Sequence, residues 1–246
     1  HVEINIYKDR LLSNLNFFKT QNKDKKIAPV LKSNAYGHGL IQIAKILDRE
    51  DAVFFVVDSY HEALILKNEG IKTPILIIGY TKIENIIKTK LSNVSFTITG
   101  LDDIVKISQN LRKPTKFHLK IDTGMHRQGI LPGDLIETLS LAKKNKNIII
   151  DGVCTHLADV DNINPKFTDT QISVWNDILF KHNELKNSKF RHISATAGSV
   201  YTKDSNSNII RLGIGLYGIS SKQEHTGHLK PILEMNSIIS GIKTIN

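Results

Sequence analysis

Short apolar runs rich in Ile, Val and Phe alternate with longer amphipathic segments about eight times along the chain, and this alternation constrains the fold more than any other feature. Several runs are nearly all apolar, as expected for strands that are covered on both faces. The predicted strands are Ile27–Lys32, Val53–Val57, Ile75–Ile78, Val94–Ile98, Phe117–Ile121, Ile148–Cys154, Phe190–Ser194 and Ile209–Gly213. The predicted helices are Leu40–Asp48, Tyr60–Glu69, Ile83–Lys90, Asp102–Asn110, Leu131–Lys144 and Asp169–His182.

Eight strand–helix units in succession predict an α/β fold, a parallel (β/α)8 TIM-type barrel, with a doubly wound open sheet as the main competitor. Two segments stand outside this cycle. Val2–Tyr7 precedes the first barrel strand, and Ile232–Ile245 reads as strand again with weak alternation. We therefore expect a barrel over residues 1–230 and, over residues 231–246, the first strand or strands of a truncated C-terminal β domain.

Composition narrows the classes of partner. The chain has 246 residues, of which 40% are hydrophobic, enough to bury the core of one barrel. Its formal charge of +9 comes from lysines scattered over helix-like segments, without interleaved aromatic residues, so we predict no nucleic-acid partner. No apolar run approaches the roughly 18 residues of a membrane span, which predicts no membrane partner. Cys154 is the only cysteine, which fits a reducing, cytoplasmic compartment.

Polar and glycine-rich residues collect directly after the predicted strands. In a parallel barrel these carboxyl ends form one face, and that face carries the active site. The segments are Lys32–Gly39 after the first strand, Asp122–Arg127 after the fifth, Thr155–His156 after the sixth, Ser194–Ser199 after the seventh and Arg211–Gly218 after the eighth. Residues that are distant in sequence should therefore surround one pocket.

Lys32 is the candidate nucleophile. At the end of an apolar strand it would be partly desolvated, which lowers the pKa of its ammonium and frees the amine for covalent attachment to an aldehyde. A lysine that merely extends from a strand end to solvent is the alternative. Gly213, with Thr196 before it, suits a phosphate site in the last two loops of a barrel. A tight turn that requires glycine explains Gly213 equally well.

Arg127 and Arg211 are the candidate charged residues of the pocket, because each lies at or beyond an apolar strand where an unpaired charge is costly. A bound anion or a structural ion pair would satisfy either one. His156 could tune the protonation of a neighbour or be an ordinary core histidine. Asp159 and Asp161 lie near His156, but without a second clustered histidine we predict no metal.

Four segments, taken in order, resemble the alanine racemase family. They are Lys32–Gly39, which looks like its pyridoxal 5′-phosphate (PLP) lysine motif, Lys120–Arg127, Thr155–Ala158 and Arg211–Gly218. The resemblance extends from Val2 to Asn246. It implies a fold type III isomerase that interconverts L- and D-alanine by two-base proton exchange at Cα, with PLP as cofactor.

The resemblance also implies roles for individual residues. Lys32 would carry PLP and act as one base, Arg127 would lie near the phenolic oxygen of the cofactor, and Arg211 would face the pyridine nitrogen and keep it unprotonated. His156 would lie beside Arg211. Lys120 matches a lysine that is carbamylated in some members and orients the arginine matching Arg127. The phosphate would be held by Tyr36, Thr196, Gly213 and Ile214.

Departures from the family set the remaining expectations. Ala195-Thr196 stands where the family often has Asn-Ser. The family's second base is a tyrosine early in the C-terminal domain, supplied across a dimer interface, and the sequence stops before it. We therefore expect this chain to bind PLP but to racemise poorly by itself.

The resemblance further implies a cytoplasmic homodimer that takes a small amino-acid substrate and supplies D-alanine for peptidoglycan precursors. Three alternatives stay open. They are a racemase of serine or of a longer, basic amino acid, a non-catalytic PLP-binding barrel, and a phosphate-binding barrel without PLP.

Overall fold

Eight parallel strands close into a barrel. A computed structural model of the chain describes residues 2–162 and 164–245, with residues 202–204 described by backbone alone. From β3 to β9 each barrel strand pairs with the next one along the chain, and β9 pairs with β2, so that β2 and β3 are the two edge strands. The strands are β2 (Lys26–Pro29), β3 (Phe55–Val57), β4 (Ile75–Ile77), β5 (Val94–Ile98), β6 (Thr115–Lys120), β7 (Ile148–Cys154), β8 (Phe190–Ser194) and β9 (Ile209–Leu212).

The edges β2 and β3 meet through a single bridge between Val30 and Val56, where the Leu31 N–H donates to the Val56 carbonyl over 2.7 Å. This contact nearly closes the sheet. The predicted parallel barrel is therefore confirmed, and the doubly wound open sheet is wrong, because an open sheet has no contact between its outer strands.

Helices cover the outside of the barrel. They are α1 (Lys8–Gln21), α3 (Leu40–Leu47), α4 (Tyr60–Asn68), α5 (Ile83–Lys88), α6 (Leu101–Asn110), α7 (Leu135–Lys144), α8 (Lys166–Lys181) and α9 (Asn183–Lys186), whereas the short element α2 (Lys32–Tyr36) is not a regular helix. Sequence reasoning missed α1, although Leu11, Leu15 and Phe18 mark its buried face at helical spacing. None of the helices in the described part of the chain has the length and apolar character needed to cross a bilayer.

The first barrel strand is shorter than predicted. It was expected to continue to Lys32 but ends at Pro29, and the chain then enters α2. Ser33, Asn34 and Ala35 in α2 have φ of 54° and Tyr36 has φ of 53°, so this short element is a left-handed turn. Lys32 therefore begins a turn at the rim of the barrel rather than ending a strand.

Side chains that alternate along the strands fill the barrel interior. One cluster of interior side chains is apolar and consists of Ala28, Val30, Phe54, Val56, Leu76 and Ile209. A second group is polar, because His118 on β6, His192 on β8 and Arg211 on β9 are buried beside one another. The interior therefore carries a hydrogen-bonded polar column beside its apolar packing.

A second, two-stranded antiparallel sheet lies outside the barrel. It pairs β1 (Val2–Ile6) with β10 (Leu233–Ser237). The predicted strand Ile232–Ile245 is therefore correct only in its first part. The five residues of β1 pair with β10 alone, and the chain has no regular structure from beyond Ser237 up to Ile245. The domain division at residues 230 and 231 stays a prediction, and its end residues His1 and Asn246 lie outside the described residues.

Candidate active site

A cavity of about 880 Å³ opens at the carboxyl-terminal face of the barrel. It is lined from all sides by residues that follow or end the barrel strands. All nine site residues predicted from the sequence line it, namely Lys32, Tyr36, Lys120, Arg127, His156, Thr196, Arg211, Gly213 and Ile214. Lys32 and Ile214, which are 182 positions apart in the sequence, therefore contribute to one pocket, as the barrel topology requires.

The left-handed turn α2 sets the position of Lys32 and Tyr36 at one wall. The Asn34 side chain accepts a hydrogen bond from the Leu40 N–H over 2.8 Å, and the Asn34 N–H donates to Glu62 over 3.3 Å. Tyr36 packs against the ring of Tyr217, and burial raises the pKa of the Tyr36 phenol. The phenol is therefore a proton donor at neutral pH.

The loops after β8 and β9 form a cradle beside the Tyr36 phenol. A Cβ atom added to Gly213 would lie 2.9 Å from the Tyr36 hydroxyl, so a larger residue here would displace the phenol. The Gly215 N–H donates to the Thr196 hydroxyl over 3.0 Å. No described residue accepts a hydrogen bond from the backbone N–H of Gly213 or Ile214. Two free N–H groups and a phenol O–H fit a phosphate group.

Arg211 lies at the base of the cavity and is 7% exposed. One terminal nitrogen donates to the His192 Nδ1 over 2.7 Å, and the other donates to the His156 Nδ1 over 3.1 Å and to the Thr155 carbonyl over 2.9 Å. Among the described residues it has no carboxylate partner, and none accepts from its Nε–H. This N–H group can therefore donate to a ring nitrogen in the cavity.

Arg211 also fixes the protonation of its neighbours, because a guanidinium only donates hydrogen bonds. The Nδ1 atoms of His156 and His192 must accept, so each ring carries its proton on Nε2. Burial and the nearby charge of Arg211 lower the pKa of His156 and of His118 to about 3, and the same causes lower that of His192. All three imidazoles are neutral at physiological pH.

Lys120 and Arg127 line the side of the cavity. Desolvation lowers the pKa of Lys120, and the positive charge of Arg127 contributes to the same shift. The Lys120 ammonium donates to the Gln128 side chain over 3.4 Å. Arg127 itself is exposed, and its loop is held by Asp122, which accepts from the Gly124 and His126 N–H groups.

Sequence reasoning missed Gln171, which joins two loops of the cavity from α8. The side chain is fully buried. Its amide nitrogen donates to the His156 carbonyl over 3.1 Å and to the Thr123 hydroxyl over 3.3 Å, and its oxygen accepts from the Ala158 N–H over 2.8 Å. Gln171 therefore fixes the backbone that carries His156. A single polar residue in a helical pattern gives no signal of such a role.

Comparisons with known proteins agree with this geometry. Residues 6–221 match the family described as "Alanine racemase, N-terminal domain". The chain is 32% identical to the alanine racemase of Methanococcus maripaludis, covering 91% of this chain and 62% of that protein. It is 35% identical to the alanine racemase of Fusobacterium nucleatum, covering 98% of this chain and 68% of that protein. The chain thus spans about two thirds of the length of these relatives.

Solved structures agree as well. An alanine racemase of Clostridium difficile in complex with cycloserine has a TM-score of 0.89 at 30% identity, covering 99% of this chain and 69% of that chain. A histidine racemase from Leuconostoc mesenteroides has a TM-score of 0.86 at 28% identity, covering 96% of this chain and 65% of that one. By its sequence, its barrel and the cavity at its carboxyl-terminal face, the chain belongs to the alanine racemase family, in which it corresponds to the N-terminal barrel domain.

Proposed function

We propose that the chain is the PLP-binding barrel of an amino-acid racemase that interconverts L- and D-alanine. The observation that carries this proposal is the convergence of Lys32, Tyr36, Arg211 and Gly213 on one cavity. When bound, PLP supplies an aldehyde that joins amines covalently and an aromatic ring that accepts electron density from the Cα carbon as its proton leaves.

The chain's own residues then have distinct tasks. Tyr36 and the N–H groups of Gly213 and Ile214 bind the phosphate. Arg211 would hold the pyridine nitrogen through its Nε–H and, being a permanent cation, would leave that nitrogen unprotonated. A neutral nitrogen would limit electron withdrawal by the ring, which would favour proton exchange at Cα over the cleavage of other bonds. The Lys32 amine anchors the aldehyde and moves the Cα proton on one face.

Racemisation also needs a proton donor on the opposite face. On the family resemblance alone, we propose that this donor is a tyrosine from outside the barrel and that the protein works as a cytoplasmic homodimer.

A racemase of a longer, basic amino acid is the second candidate. It is favoured by the carboxylates of Asp58 and Asp161 on the cavity wall and by the similarity to a histidine racemase.

The proposed function predicts exchange of the Cα proton. With PLP in D2O, the chain is expected to incorporate deuterium into one enantiomer of alanine faster than free PLP does, because Lys32 reaches only one face and the Cα protons of the two enantiomers lie on opposite faces. Mass spectrometry measures the exchange, and both enantiomers of alanine, histidine and lysine run in parallel decide between the two candidates. If PLP binds to Lys32 and none of the three amino acids exchanges, the barrel is a non-catalytic PLP-binding protein.

Lys120 is proposed to be carbamylated, because its lowered pKa favours the neutral amine that reacts with CO2. The modification would convert a cation beside Arg127 into an anion that orients the guanidinium. Native mass spectrometry is expected to show the mass of one added CO2, lost on acidification and absent from Lys120→Met. An unmodified mass at neutral pH in bicarbonate buffer would contradict this.

A further inference from the structure

A second cavity, of about 180 Å³, opens at the amino-terminal mouth of the barrel, at the opposite end from the candidate active site. Its floor is formed by apolar and aromatic side chains, including Phe54 and Phe190. Three lysines line it, Lys26 on β2, Lys116 on β6 and Lys189 immediately before β8. None of these residues has a part in the proposed racemase chemistry.

The charges around this mouth do not balance. Asp151 is the one acidic residue among those lining the cavity, and its carboxylate lies 3.5 Å from the Lys116 ammonium. Lys189 lies over the ring of Phe190 at 4.8 Å. In the described part of the chain, Lys26 has no ion-pair partner. Three cations against one anion leave an excess of two positive charges around a small volume.

His118 adds a buried donor to the same cavity. It is 1% exposed, and its Nδ1 lies 2.7 Å from the His192 Nε2. Arg211 forces His192 to carry its proton on Nε2, so His192 donates to the His118 Nδ1, and His118 must carry its own proton on Nε2. No described residue accepts a hydrogen bond from that N–H group. Because His118 lines the cavity, a ligand or water there can accept this hydrogen bond.

We propose that the amino-terminal mouth is a binding site for a small multivalent oxyanion, held by Lys26, Lys116 and Lys189 and accepting a hydrogen bond from the His118 Nε2–H. The site suits a tetrahedral oxyanion of phosphate size, because 180 Å³ holds such an ion together with a few waters at about 30 Å³ each. A dianion also cancels the excess of two positive charges.

Isothermal titration calorimetry tests the site by measuring the binding of inorganic phosphate to the PLP-saturated chain. Saturation with PLP occupies the phosphate cradle at the other mouth. We expect one phosphate per chain, with an affinity that falls as NaCl is added, because the contacts are ionic. Lys26→Met and Lys116→Met should each weaken binding about tenfold or more, the latter also because it leaves Asp151 without its partner.

Two control variants give the test its selectivity. Lys106→Met removes an exposed lysine on α6, remote from this cavity, and should leave the affinity unchanged. Tyr36→Phe weakens the cradle of the other mouth and should also leave it unchanged. NMR adds a direct readout, since phosphate is expected to shift the His118 Nε2 resonance.

Three results would overturn the proposal. They are the absence of phosphate binding by the parent chain, an equal affinity in the parent and the two lysine variants, and a loss of binding confined to Tyr36→Phe. Each of them leaves the proposed racemase function intact, because that function is judged by proton exchange at Cα.

Discussion

Replacing Lys32 with alanine is expected to abolish covalent attachment of PLP and to slow exchange of the Cα proton by about 10³-fold or more. Lys32 is proposed to provide both the anchoring amine and a general base, and loss of a base alone costs about 10²–10⁴-fold. Visible absorption spectra with added PLP, before and after borohydride, measure the attachment. Deuterium incorporation into L-alanine and into D-alanine measures the exchange.

The matched control is Lys120→Ala, which removes the other lysine that lines the cavity. It should keep the visible absorption band of covalently bound PLP, because Lys120 is proposed to orient Arg127 rather than to bind the aldehyde. An absorption band that survives in Lys32→Ala and disappears in Lys120→Ala would show that Lys120, and not Lys32, binds the aldehyde. No absorption band in the parent chain would remove the basis for PLP binding.

Acidification is expected to destabilise the chain well before its carboxylates titrate. His118 and His156 have pKa values of about 3 in the folded protein, against about 6.5 in an unfolded chain. Below pH 6.5 the unfolded chain binds protons that the folded chain cannot, so the free energy of unfolding falls as the pH falls towards 3. The slope rises from half of about 1.4 kcal/mol per pH unit for each group at pH 6.5 towards the full value, so both groups together cost about 3 kcal/mol between pH 6.5 and 5.

Urea unfolding curves at several pH values measure this effect. His118→Gln and His156→Gln should each reduce the pH dependence between 6.5 and 5 by the contribution of one proton, even if they lower stability at pH 7. His61→Gln, which removes an exposed histidine on α4, should leave the dependence unchanged. If the free energy of unfolding depends on pH in the same way in the parent and in the variants of both buried histidines, the fold does not hold these rings neutral.

The sequence predicted the barrel because its strands are short, apolar and evenly spaced, and these signals are local. The convergence of the candidate residues on one cavity was predictable for a related reason. Lys32, Arg127 and His156 follow apolar runs, where a polar residue stands out, and parallel topology brings all such positions to one face. Most strand ends were correct to within two residues for the same reason.

The polar column inside the barrel was not predictable in this way. His118 and His192 lie within predicted strands, and a histidine in an apolar run does not reveal whether it faces the barrel axis or the covering helices. Their partnership with Arg211 depends on the strand register, which the sequence does not specify. The left-handed turn also had no local signal, since Ser33, Asn34 and Ala35 include no glycine.

That turn has a consequence for how the site responds to its ligands. Each non-glycine residue in the left-handed region costs about 1–2 kcal/mol, and the surrounding hydrogen bonds hold four in succession. Lys32 and Tyr36 are the first and last residues of this turn, so the backbone between them acts as a spacer of fixed length. If Tyr36 binds a phosphate as proposed, that phosphate lies at a set distance from the Lys32 backbone, and the entropy of aligning the two residues is lost during folding rather than at each binding event.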